Sequence, residues 1–334
     1  MDDDVFSYAT ANDCLMKRWL VRRIERATGQ PTLKKLYLQN QRSPRPNESF
    51  WQASVRSLEL DVRYDASALA RAPDNGPVVF VANHPYGVLD GLVICWLVEQ
   101  VRSDFVVLIH SALMRAPEVG DFVLPIDFSG TDEACANNLA SRAAARAQLD
   151  RGGAVIIFPA GMVSTSPDAL GRRPAIDARW QPFVAQLIQR SRATVVPIWF
   201  DGQNSWLFQM ASHLNATLRL SLIFHEVKAR IGTALQVTVG EPIAFETLSP
   251  IKDRQALADE LRARTCHLAS RQSAALKAGP ANEPKPRFRS LRIPRSATES
   301  RSGQNLIPEA QIQCNQARRF QGLNDRRRRI APIA

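Results

Sequence analysis

Apolar residues along the chain fall into two kinds of pattern, and their order predicts the fold class. Five short runs are continuously apolar and rich in Val and Ile: 77–82, 105–109, 154–158, 194–200 and 235–239. Runs of that length without alternation are expected of strands buried on both faces. Helical spacing marks 91–101, 135–150, 180–191 and 254–270 between and after them. Alternation of this kind predicts an α/β domain with a largely parallel central sheet flanked by helices, placed at residues 47–274. A helical stretch at 50–60 follows a Pro- and Asn-rich loop. No glycine pattern fits a dinucleotide or nucleotide-phosphate fingerprint.

Residues 1–46 form a separate segment. Within 13–28, Leu15, Met16, Trp19, Leu20 and Ile24 share one helical stripe, with Lys17, Arg18, Arg22, Arg23 and Arg26 around the rest. A basic amphipathic helix carrying a Trp suits an anionic membrane surface. The alternative is a helix packed on its own domain with a charged outer face.

Charge changes the picture at the other end. From Ala275 onward 13 Lys and Arg stand against 4 Asp and Glu, so most of the net +11 sits in residues 275–334. Pro, Ser, Gln and Arg replace any apolar period there, and such a segment is expected to be disordered. A basic arm can meet anionic lipid or nucleic acid; a solvated tail is the simpler alternative. The five cysteines lack CxxC or ladder spacing, so neither a disulfide framework nor a zinc site is expected. Asp2, Asp3 and Asp4 stand where a signal peptide needs positive charge. The apolar stretch at 105–114 is about half of the ~20 residues that span a bilayer, so work on lipids is expected from the membrane surface.

The chemistry concentrates at 78–91, VVFVANHPYGVLDG, a buried run followed by a polar turn with Asn83, His84 and Asp90 and then an apolar helix. Sites in parallel α/β proteins lie at the carboxyl ends of strands. A His there can take a proton near neutral pH, and a nearby carboxylate can fix its tautomer. The structural alternatives are a turn His and an Asp that caps the helix.

NHPYGVLDG resembles the first motif of the lysophospholipid and glycerolipid acyltransferases. Most members have four residues between His and Asp, whereas five separate His84 from Asp90. The longer Asn-His-Pro-x-Gly-x-x-Asp-Gly form resembles a bacterial branch associated with hemolysins and ornithine-lipid synthesis, with Gly87 absorbing the extra residue. Phe158-Pro159-Ala160-Gly161, Val196-Pro197-Ile198 and Gly202-Gln203-Asn204-Ser205 follow in the family's order.

The resemblance implies acyl transfer from acyl carrier protein or coenzyme A to a lysolipid hydroxyl. The acceptor would be lysophosphatidic acid or a lyso-ornithine lipid. His84 would be general base and Asp90 its partner, with Asn83, Gly87, Phe158, Pro159, Gly161, Gln203 and Asn204 around the substrates. Ala160 and Val163 replace the family's acidic and Arg positions, and Phe128 stands where the second motif has Arg. Substitute cations are Arg115 and Arg172, and also Arg142, Arg146 and Arg173. No cofactor, metal or specific nucleic acid is implied, and the location would be peripheral, on the cytoplasmic face of the inner membrane. The leading alternative is a degenerate lipid-binding member of the fold; a hydrolase and a tail-driven nucleic-acid or lytic function are the others.

Overall fold

A computed structural model of the chain describes residues 7, 14–110, 116–127 and 130–277. Helices α1 (Leu15–Thr28), α2 (Gln30–Arg42) and α3 (Phe50–Ser57) precede edge strand β1 (Asp61–Arg63) and the single turn α4 (Ala66–Leu69). Then come β2 (Val78–Ala82), α5 (Val88–Glu99), β3 (Phe105–His110), β4 (Val123–Ile126), α6 (Asp132–Asp150), β5 (Ala154–Ile157), α7 (Phe183–Ser191) and β6 (Thr194–Phe200). Helices α8 (Trp206–Leu214), α9 (Ala216–Ser221) and α10 (Ile223–Ala229) lead into β7 (Ala234–Val239), followed by α11 (Phe245–Leu248) and α12 (Arg254–Lys277).

The strands form a seven-stranded sheet in the order β1-β7-β6-β2-β5-β3-β4. Every pairing is parallel except β6 with β7. The five expected strands are present, and β1 and β4 join them at the edges. Both edge strands are short and incompletely buried; β1 reads DVR and carries no apolar run, whereas β4 is the brief apolar run VLPI.

The pleat divides the central strands between two cores. Val78 and Phe80 of β2 and Ile156 of β5 pack with α3, α5 and α10 on one face. Val79 and Val81 of β2 and Val155 and Ile157 of β5 pack with α6, α7 and α12 on the other. Alternate side chains of a strand point to opposite faces, so strands buried on both sides read as unbroken apolar runs.

Helix α1 does not hold its apolar stripe together. Val21 and Glu25 are buried and Ile24 packs on the first core, but Leu15, Met16, Trp19 and Leu20 are 81%, 79%, 62% and 51% exposed. The helix thus docks along one edge and leaves four large apolar side chains outside. Helix α12 runs to Lys277, just past the expected boundary at 274, and the remainder of the basic tail lies outside the described residues. Among the described residues no helix is long and apolar enough to cross a membrane. Among the described residues Cys14, Cys95 and Cys266 are free thiols.

Candidate active site

Three loops meet at the carboxyl edge of the sheet because β2 lies between β5 and β6. The chain passes from β5 to β6 on the far side of β2, so the turns after these strands open into one crevice. Short bonds tie them together. The Ser164 N–H donates to the His84 carbonyl at 2.7 Å, and the Tyr86 hydroxyl donates to the Asp201 carbonyl at 2.7 Å. Gly202, at φ +100°, lies so close that a Cβ there would sit 2.0 Å from the Tyr86 oxygen. Asn83 uses both polar atoms of its side chain on the Phe200 backbone, at 2.8 and 2.7 Å. It is a strap between β2 and β6.

His84 and Asp90 come together as the sequence leads one to expect. Nδ1 of His84 lies 3.1 Å from Oδ2 of Asp90, whose side chain is fully buried. The approach is short but poorly aligned for a hydrogen bond, as catalytic contacts in unliganded sites often are. Gly87 is the N-cap of α5, at φ 81° and ψ −113°, a region that disfavours side chains. Asp90 is therefore not the N-cap but the third residue of the helix. Its Oδ2 accepts the N–H groups of Tyr86 and Gly87 at 2.8 and 3.0 Å. Burial raises the Asp90 pKa, and the adjacent His84 imidazole and the N–H groups of Tyr86 and Gly87 oppose that rise.

The Phe158 ring covers the imidazole, with centroids 4.1 Å apart. Pro159 accepts the Gln181 N–H at 2.9 Å, and Gly161 donates to the Phe158 carbonyl at 3.0 Å in a turn that needs φ +70°. Gln203 holds the loop after β5 in place: its Oε1 accepts the Ala175 N–H at 2.6 Å and its Nε2 donates to the Gly171 carbonyl at 3.3 Å. Asn204 is buried, and neither polar atom of its side chain has a partner. The Arg172 side chain is exposed, and the backbone N–H of the residue donates to the Asp168 carboxylate at 3.1 Å. Arg142 stacks over Phe183 at 4.8 Å and Arg146 faces Asp150 at 3.5 Å. Arg115 and Phe128 lie outside the described residues.

Several site residues left no mark in the sequence. Asp177 is buried and accepts three donors: the His84 N–H at 3.1 Å, the Ser164 hydroxyl, and the Trp180 indole N–H at 2.9 Å. It pins the backbone of His84 from 93 residues away. Glu226, also buried, accepts the Ser205 N–H at 2.8 Å and its hydroxyl. Arg230 lies over the Tyr86 ring at 4.5 Å, and burial pushes the Tyr86 pKa up to about 12. A partner without a motif or fixed spacing becomes visible only in three dimensions.

Beside the His–Asp turn lies an apolar cavity of about 200 Å³. Val88, Gly91, Leu92 and Cys95 on one face of α5 form one wall, and Leu33, Leu36, Phe50 and Trp51 of α2 and α3 form another. A Cβ added at Gly91 would meet nothing within 4 Å. Val88 and Gly91, on either side of Asp90 in the sequence, thus both border the cavity.

Fold and site together define an α/β protein with a His–carboxylate pair at the carboxyl end of a central parallel strand and a lipophilic pocket adjoining it. The chain belongs to the acyltransferase family, whose model, described as acyltransferase, matches residues 3–274, and it is an acyltransferase enzyme. Two relatives, each called lyso-glycine lipid O-acyltransferase, are similar to it. The protein from Bacteroides thetaiotaomicron is 27% identical over 66% of this chain and 82% of its own length. That from Phocaeicola vulgatus is 24% identical over 58% of this chain and 68% of its own. A crystal structure of the 1-acyl-sn-glycerophosphate (LPA) acyltransferase PlsC from Thermotoga maritima is 15% identical, with a TM-score of 0.44 over 80% of this chain and 83% of that one.

Proposed function

We propose that the protein transfers a fatty acyl group from a thioester, acyl carrier protein or coenzyme A, to the hydroxyl of a lysolipid at the membrane surface. The observation that carries this reading is the His84–Asp90 pair in the turn beside the apolar cavity. Nδ1 faces Asp90, which leaves Nε2 for the acceptor hydroxyl. His84 takes that proton while the oxygen attacks the thioester carbonyl, and backbone N–H groups meet the developing oxyanion. Collapse of the tetrahedral intermediate breaks the C–S bond, and the proton passes to the departing thiolate. Asp90 holds the tautomer and stabilises the imidazolium. The apolar cavity accepts an acyl chain, and the relatives' names point to a lyso-amino-acid lipid as the first acceptor to try.

Exposed apolar residues support attachment to a membrane surface. Beyond the four on α1, Met162, Leu170, Ile176, Trp206 and Leu214 are 46–66% exposed. They lie on the loop after β5 and on α8, and α8 packs on α9, which packs on α1. Cations of α1 such as Arg23 and Arg26 add attraction to anionic lipid, about 1 kcal/mol each.

The test is acyl transfer by purified protein to lyso-glycine lipid, lysophosphatidic acid and lyso-ornithine lipid, read both as free thiol and as diacyl product. His84→Ala should lower turnover by about 10²- to 10⁴-fold while the fold persists. Thiol release without an acylated acceptor would identify a hydrolase, and binding without turnover would identify a lipid carrier.

A further inference from the structure

Next to the site sits a cation that its own protein does not neutralise. Arg219 of α9 donates from Nη2 to the carbonyl of Val163. The N–H of the same peptide unit, on Ser164, donates to the carbonyl of His84 at 2.7 Å. One peptide unit thus separates the Arg219 guanidinium from the backbone of His84. Val163 also borders the turn, because a Cβ at Gly87 would lie 3.2 Å from its Cγ2.

The surroundings of Arg219 are apolar where they are not backbone. The guanidinium lies over the Phe208 ring at 5.4 Å, and no carboxylate among the described residues forms an ion pair with it. Burial pushes its pKa down to about 10, so it remains charged at neutral pH. Arg219 is half-buried, and the fully buried guanidinium of Arg102 is handled differently: two bonds go to Asp104 and three to backbone carbonyls. Burying an unpaired charge is costly. A guanidinium offers five N–H donors, and at Arg219 one protein carbonyl is the described acceptor. The remaining donors suit a planar or tetrahedral oxyanion.

We infer that Arg219 binds the anionic headgroup of the acceptor, a carboxylate or a phosphate monoester, and so orients its hydroxyl toward His84. This rests on the acyl-transfer reading and adds a specificity-determining residue to it. The neutral variant Arg219→Gln keeps a donor for the Val163 carbonyl, so it separates the charge from the strut.

The experiment compares wild type and Arg219→Gln on N-acylated lyso-glycine lipid, which ends in a carboxylate, on the methyl ester of the same lipid, and on lysophosphatidic acid. Charge-assisted bonds of this kind correspond to about 10- to 100-fold in affinity. For the variant, KM for the carboxylate or phosphate acceptor should rise by that factor with kcat nearly unchanged. On the methyl ester the two proteins should be alike. The arm in which the loss appears shows whether carboxylate or phosphate is the anion bound. Equal losses on acid and ester would mean that Arg219 only props the loop, and a wild-type enzyme indifferent to esterification would also overturn the inference. Direct titration of each lipid into both proteins decides the same question if the wild type transfers no acyl group, since that outcome refutes acyl transfer and leaves headgroup binding to be read separately.

Discussion

Replacing Asp90 with Asn removes a charge while nearly preserving shape, and the structure dictates which way the amide turns. Oδ2 accepts two backbone N–H groups, from Tyr86 and Gly87, so the amide oxygen must take that position. His84 Nδ1 still faces an oxygen, and its tautomer survives. What disappears is the negative charge 3.1 Å from the imidazole. Two unit charges 4 Å apart interact by about 4 kcal/mol at an effective dielectric of 20, and each 1.36 kcal/mol is tenfold in rate. About 10³-fold is therefore the scale of the effect, and we expect kcat to fall by about 10²- to 10³-fold with KM within about threefold of wild type. Stability follows another course. Losing a buried charge is favourable, but the amide nitrogen then occupies the place of Oδ1, which has no partner, so the two effects offset to within about 1 kcal/mol. Asp90→Ala instead orphans two buried N–H groups and should cost about 2–5 kcal/mol. Thiol release at saturating substrate and thermal melts measure both. An Asn variant retaining more than about half of wild-type turnover would return Asp90 to a purely structural role at the start of the helix.

Filling the cavity from Gly91 should change chain-length preference: Gly91→Leu places a side chain in open space and is expected to shift products toward shorter acyl groups, and an unchanged product profile by mass spectrometry would exclude that cavity as the acyl site. Glu99 has its pKa raised to about 7 by burial, so the folded state holds the proton more tightly than the unfolded one and stability falls as pH rises from about 4.5 through 7. Allowing for its partial exposure, Glu99→Gln should gain about 1 kcal/mol at pH 8 and almost nothing at pH 5 in urea unfolding; equal effects at the two values would refute the shift. Asp177→Asn cannot accept from all three donors that now meet the carboxylate, and should lose about 1–3 kcal/mol and about tenfold in kcat as His84 loses its anchor. Wild-type turnover and melting in that variant would remove Asp177 from the positioning of the base.

The N-terminal helix shows where sequence pattern and packing part company. Periodicity placed Leu15, Met16, Trp19, Leu20 and Ile24 on one stripe, yet docking buries Val21 and Glu25 and leaves the first four exposed. A helical wheel reports which residues share a face; the depth of the groove made by α9 and α10 decides how much of that face is covered. Strands such as β2 and β6 were legible because burial on both faces leaves no polar positions to interrupt the run. β1 was not, because a half-covered edge strand such as DVR needs neither alternation nor continuity.

The turn from Asn83 to Asp90 could be read for the same local reason. His84, Gly87 and Asp90 act on one another within seven residues, so spacing alone records their relation, including the glycine that admits the additional residue at positive φ. Asp177 and Arg219 reach the same turn from distant parts of the chain, directly and through the Val163–Ser164 peptide, and the cations singled out from the sequence did not include Arg219. Linear sequence determined the layers, the central strands and the His–Asp pair, all products of short-range periodicity and spacing. Which carboxylate anchors the base, which guanidinium stays unpaired, and where an apolar cavity opens were decided by tertiary packing, because those properties depend on groups that only the crossing of β5 and β6 over β2 brings within reach.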